Sequence, residues 1–244
     1  MKLELKSIGL LGVMLLFIIN LPAQDVYEFW AYEDSDWSND NNWDYLPVGG
    51  GMSNQSPDAN IGSNTEVYIW DNVDYDLTDM LVVNGLIELT GGDISSSTTA
   101  NLRLNSGSSI DFSSSNSLSM GRLYFIGGSI NIPSGASMQF TSSESNSLRS
   151  NLTVNGSITF TGSVIANRNS SISVGSFATL DCNSGLTNSG SIINTGTFSI
   201  SGNFTNTGTL NSSNSGALIS IDGTSLQSIS GLAAYKIEID NTNN

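Results

Sequence analysis

Residues 151–182 read NLTVNGSITFTGSVIANRNSSISVGSFATLDC, and the spacing of their apolar residues decides the fold. Leu152 and Val154, Ile158 and Phe160, Ile172 and Val174, and Leu180 and Cys182 are each separated by a single residue. That period of two places each pair on one face of a β-strand. Between the pairs lie Ser, Asn, Thr and Gly, which are poor helix formers and favour turns. The same phrase continues outward on both sides, through Ile110 with Phe112 and Ile130 with Ile132 upstream and through "TFSI" downstream. Corners are marked by Asn84-Gly85, Asn155-Gly156 and the related NSG and NTG triplets at 188, 194 and 206. There, Gly or Asn is expected to take positive φ.

Two architectures accommodate such strands. Asn-Gly between alternating segments is a hairpin signal and would suit an antiparallel sandwich. The strands, however, carry only two inward residues each, the phrases repeat, and the corners are chemically uniform. "NLRL", "RLYF" and "NLTV" begin at Asn101, Arg122 and Asn151. These gaps suggest a coil of about twenty residues with occasional corner insertions, within the repeat lengths of solenoids. The expected fold is therefore all-β, a right-handed parallel β-helix (β-solenoid) with a Trp-rich N-terminal cap. Its handedness rests on the general preference of parallel connections. About eight coils would occupy 81–244, at about 4.8 Å per coil.

Composition divides the chain into three parts. In 1–23, Lys2 and Lys6 precede an apolar run from Ile8 to Ile19, and LPAQ supplies small residues for cleavage after Ala23. This is the pattern of a secretory signal peptide, too short for a stable membrane span. Residues 24–80 hold all four tryptophans and most of the acidic residues and form the cap and entry region. Residues 81–244 form the Ser/Asn/Gly-rich solenoid, expected to be an N-terminal fragment with downstream domains missing, because a solenoid needs a terminal cap and none is visible. No second apolar stretch long enough to span a bilayer follows, so the mature chain is expected to be secreted or held at the cell surface.

Charge and residue types exclude several functions. The chain has 7 basic and 22 acidic residues, so nucleic acid, which needs a positive surface, is not an expected partner. There is no histidine, which removes the commonest general base and every Ser-His-Asp or Cys-His arrangement. Cys182 is the only cysteine and, alternating with Leu180, is read as a small inward filler. The four arginines at 103, 122, 149 and 168 fall at intervals near one coil and are read as solubilising exterior residues.

Two binding sites are considered in the cap. Asp34, Asp36, Ser38 and Asp40 alternate, with Asn42 and Asp44 beyond, so Asp34, Asp36, Asp40 and Asp44 are candidate ligands for calcium, the one cofactor considered. The match to a calcium loop is poor, since Asn39 stands where glycine is expected and Tyr45 where glutamate is. Zinc is disfavoured by the lack of His and the single Cys. Trp37 and Trp43, with Tyr32 and Tyr45, would make a carbohydrate-stacking platform if exposed, or plug the end of the solenoid if buried.

The stretch DSDWSNDNNWDYLPVGGG, followed by EVYIWDNVDYDL, resembles the opening of large secreted β-helical, adhesin-like proteins of Gram-negative bacteria, with Trp37, Asn42-Trp43 and Pro47 at the matching places. NSGSIINTGTFSISGNFTNTGTL and the closing GTSLQSISGLAAYKIEIDNTNN are similar to repeat units of the same group, especially in proteins exported by Bacteroidetes. The resemblance implies export and a structural or adhesive, non-catalytic role at the cell surface, with an extracellular polysaccharide or cell-surface ligand as partner. It carries over no catalytic residue. The alternatives are a carbohydrate-binding or carbohydrate-degrading β-helix, as in polysaccharide lyases and glycosidases, and a spacer for a missing C-terminal domain.

Overall fold

A computed structural model describes residues 24–77, 80–96, 99–113 and 115–240. The region read as a signal peptide lies outside them. The chain winds through three parallel sheets in strict rotation, so that every third strand returns to the same sheet. The first sheet runs from Asp25–Phe29 through Thr65–Ile69 and Leu86–Leu89 to Thr209–Asn211. The second runs from Val73–Asp74 to Ile237–Ile239, and the third from Asn60–Ile61 to Ile229–Ser230. Among the described residues each of the three contains nine parallel strands, the first carrying an antiparallel tenth at its N-terminal edge. The parallel ladder thus begins at Asp25, and residues 24–80 contribute rungs of the solenoid as well as its cap.

The alternation seen in the sequence becomes the inside and outside of the coil. Leu152, Val154, Ile158, Phe160, Ile172, Val174, Leu180 and Cys182 are all buried. They stack in register, Leu152 on Ile172, Val154 on Val174, Ile158 on Leu180 and Phe160 on Cys182. Phe140 and Phe160 lie on successive coils with ring centroids 5.3 Å apart and planes 13° from parallel. A single coil has no partner for these side chains, so the core exists only through stacking.

The corner glycines serve a purpose other than the one expected. Neither Gly85 nor Gly156 has positive φ. Instead, a β-carbon at Gly156 would lie 2.2 Å from the carbonyl oxygen of Ala136 and 2.3 Å from that of Pro133, on the preceding coil. At Gly85 it would lie 2.2 Å from the carbonyl oxygen of Thr65 and 2.3 Å from that of Gly62. Backbone packs on backbone where coils turn together, and only hydrogen fits between. The same negative φ explains why Asn-Gly does not make a hairpin here, since the tight hairpin turns require positive φ.

Several inward positions hold asparagine rather than an aliphatic residue. Asn188 follows Ala166 and precedes Asn206 in one column of the third sheet. Its Nδ2 donates to Asn206 Oδ1 at 2.8 Å and to the Thr209 carbonyl at 3.2 Å, while its Oδ1 accepts from the Gly190 N–H at 3.0 Å. The amide ties the end of one coil to the corner of the next. Asn188→Ala is expected to cost about 2–3 kcal/mol, because the Gly190 N–H and the Asn206 carbonyl lose a buried partner. Urea unfolding checks this, and a loss below about 0.5 kcal/mol contradicts it.

The N-terminal edge is closed by the cap. Trp43–Leu46 folds back antiparallel on Asp25–Phe29 and covers the edge of the first sheet, which would otherwise offer unpaired N–H and C=O groups. Beneath it Trp37 and Trp43 pack edge to face at 4.9 Å, Trp43 also against Phe29 at 4.9 Å, and Trp37 against Tyr75 at 5.2 Å.

Candidate functional site

The acidic stretch of the cap is held together by its own neighbours. Asp34 accepts from Asn42 Nδ2 at 2.6 Å, Asn39 Nδ2 at 2.9 Å and the Asp36 N–H at 3.0 Å. These bonds stabilise its charged form and lower its pKa. Asp36, beside that charge and near Asp76 and Asp74, is raised instead. Asp40 accepts from both the N–H and the hydroxyl of Ser56, at 2.8 and 2.7 Å, which lower it. Asp44 accepts from the Tyr32 hydroxyl at 3.2 Å. Asp34, Asp36, Asp40 and Asp44 therefore do not converge: among the described residues no three acidic or cysteine side chains are grouped to hold a metal ion.

Trp37 and Trp43 have no exposed surface at all. Their indole N–H groups donate to the Pro57 carbonyl at 2.9 Å and the Trp37 carbonyl at 2.8 Å. They plug the end of the solenoid, and neither presents a ring face to a sugar. The exposed cap aromatics are Tyr32 and Trp70, the latter stacked on Trp30 with centroids 5.1 Å apart.

Outside the cap, coil register brings together two carboxylates that are 41 residues apart in sequence, Asp181 and Asp222. Asp181 lies directly beside Ser199 on the second sheet. Ser199 Oγ donates to Asp222 Oδ2 at 2.6 Å, and Ser201 Oγ to Asp222 Oδ1 at 2.8 Å. Burial, then the negative charge of Asp222, raises the pKa of Asp181. Beside Asp222 a polar cleft of about 480 Å³ opens at the corner between the second and third sheets, lined by Asn183, Ser184, Asn203, Thr224 and Gln227. Much of this lining is engaged within the protein: Gln227 Nε2 donates to the Ile200 and Gly202 carbonyls, and Asn203 Oδ1 accepts from the Ser228 N–H. The sequence signal for this pair was the register itself, available only once the coil lengths are known.

A raised carboxyl binds its proton more tightly in the folded than in the unfolded state. Its contribution to stability is full below the ordinary carboxylate range and is lost as pH rises through the folded value. Asp181→Asn removes that loss, so its melting temperature should exceed that of the unsubstituted protein at neutral pH, with the difference shrinking in acid. Thermal unfolding across pH checks this, and a difference independent of pH would contradict it.

Cys182 is completely buried, and its thiol is pushed far up by burial, so it is an inert core residue and not a nucleophile. No helix among the described residues is long and apolar enough to cross a membrane. Compared with family models, curated proteins and solved structures, the chain finds no match.

Proposed function

We propose that the protein is a secreted or cell-surface structural and adhesive β-solenoid without catalytic activity. The observation that carries this reading is the repetition of uncharged polar residues along outer rows of the first and second sheets between Ser129 and Ser173. Along the first sheet the outward residues are Ser129 and Asn131, Asn151 and Thr153, then Ser171 and Ser173, coil upon coil. The second sheet repeats it with Ser137 and Gln139, then Ser157 and Thr159. Such rows present a rigid, extended array of hydroxyls and amides, suited to many weak contacts with a polar partner and to holding a shape between attachment points. The resemblance to adhesin-like exported proteins supports the same role, and the N-terminal segment supports export.

The test is retention of beads coated with the purified protein on immobilised polysaccharides and on bacterial cells. Retention well above that of beads coated with an unrelated acidic protein is expected, and equal retention would sink the reading. A second reading, glycan cleavage, is favoured by one observation, the neighbouring Asp181 and Asp222 carboxylates beside a cleft, with the Asp181 carboxyl raised by burial. It requires release of new reducing ends from a polysaccharide, abolished by Asp222→Asn. On the scaffold reading no such release occurs.

A further inference from the structure

Four of the five basic residues beyond Lys6 are arginines, and the fold gathers all four on one side of the solenoid. Successive strands of the third sheet each contribute one. Arg103 lies within Asn101–Leu104, Arg122 just before Leu123–Phe125, Arg149 just after Asn146–Leu148, and Arg168 just beyond Val164–Ala166. Arg122 pairs with Glu144 and sits over the Tyr124 ring, 4.5 Å from its centroid. Arg103, Arg149 and Arg168 are exposed, and none is among the ion pairs of the described residues. The outward row through Arg103 continues as Tyr124, Ser147, Ile165, Thr187 and Thr205, without a carboxylate.

The acidic residues are placed elsewhere. On the first sheet Asp44, Glu28, Tyr68, Glu88 and Asp111 fall in one register row, and the cap holds most of the remainder. A chain of formal charge −15 thus keeps one local positive face. From this placement we propose that the arginine face of the third sheet binds a carboxylate-bearing polysaccharide. The proposal rests on the adhesive reading and names its ligand class.

Two features select this partner. Guanidinium groups match carboxylates in planar, paired hydrogen bonds, and on this face Arg103, Arg149 and Arg168 are free of ion pairs among the described residues, Arg103 engaging Asn105 Oδ1 through Nε alone at 3.1 Å. The surface between them is hydroxyl-rich, with Tyr124 as an aromatic contact and Ile165 as its one exposed aliphatic residue in the row. A protein partner would seek a cluster of desolvated aromatic and aliphatic anchors, and this face offers only Ile165 and the Tyr124 ring already beneath Arg122. A glycan, itself covered in hydroxyls, does not need one. Successive coils rise by about 4.8 Å, so the three unpaired arginines, spread over four coils, would engage several sugars of one chain instead of a single residue.

The test measures binding of the purified protein to polygalacturonate and to its methyl ester, which keeps the backbone and removes the charge. The expected result is binding to the acid form that falls with added salt and weakens about tenfold or more in Arg103→Ser/Arg149→Ser/Arg168→Ser, with thermal unfolding unchanged because all three sites are exposed. Equal binding to acid and ester, undiminished binding by the triple variant, or no binding to this polymer or to alginate would each overturn the proposal. If the variant instead lost self-association seen by sedimentation, the arginine face would belong to the acidic row of a second copy, and the glycan assignment would fall. Undiminished retention of the triple variant on the acid polysaccharide would leave the adhesive reading standing while rejecting this one.

Discussion

Trp43→Ala is expected to lower the unfolding free energy by about 3–5 kcal/mol, the range for removing a large buried aromatic side chain. The ring is wholly buried, packs edge to face on both Phe29 and Trp37, and meets Tyr27 at 6.4 Å. Its indole N–H fixes the Trp37 carbonyl, so the substitution opens a cavity and strands an acceptor together. The consequence reaches beyond the local contacts. Trp43 begins the strand that covers the edge of the first sheet, so loosening it exposes Asp25–Phe29 as an open parallel edge. Amide exchange should accelerate first at Phe29 and Ile69 and only later along the solenoid, because each coil is held by its neighbours alone. Urea unfolding and residue-level exchange check this. A loss below about 1 kcal/mol would mean that the ring is not the plug of the solenoid.

Phe160→Ala should cost a similar amount, about 3–5 kcal/mol, for a different reason. Phe160 lies in the middle of the stack, between Phe140 and Cys182, with no cap over it and a side chain that has no hydrogen-bonding group. The loss is packing alone, and its neighbours have little freedom to collapse into the gap because the coil spacing is set by backbone hydrogen bonds. Phe160→Leu should recover most of the stability, which separates a volume effect from any requirement for an aromatic ring. Exchange should accelerate symmetrically around Ser157–Phe160, in contrast to the end-first pattern of the cap variant.

The inward and outward rows were legible in the sequence because a period of two needs no knowledge of tertiary structure: Leu152, Val154, Ile158 and Phe160 can face only one way. The corners were legible as corners but not in their physics. Gly85 and Gly156 look like residues chosen for positive φ, and the requirement is instead the close approach of a neighbouring coil, which no local pattern records. Trp37 and Trp43 are equally consistent, as letters, with a platform or a plug, and burial chose the plug.

Long-range placement was the least legible. From Thr65 onward register steps vary from 18 residues, Leu180 to Phe198, to 25, Phe204 to Ile229, and the first step, Phe29 to Ile69, is 40, so corner insertions shift every later coil. Asp181 and Asp222 therefore look scattered along the chain although they share Ser199 in space. The arginine spacing hinted at one face, and the sheet order supplied it.

The claim on which all else rests is that residues about twenty apart stack directly, coil on coil, in one direction. Electron–electron distance measurement between nitroxide labels tests it at outward positions of the first sheet, with Cys182 buried and out of reach of the label. Asp111, Asn131, Thr153, Ser173, Ile193 and Asn211 form one register row. Labels at Asp111 and Ile193, four strand spacings apart, should therefore have backbones separated by about 19 Å, and labels at Asp111 and Asn211 by about 24 Å. A step of about one strand spacing between the two pairs supports the solenoid. A second distance equal to or shorter than the first, as pairing in an antiparallel sandwich would give, contradicts it.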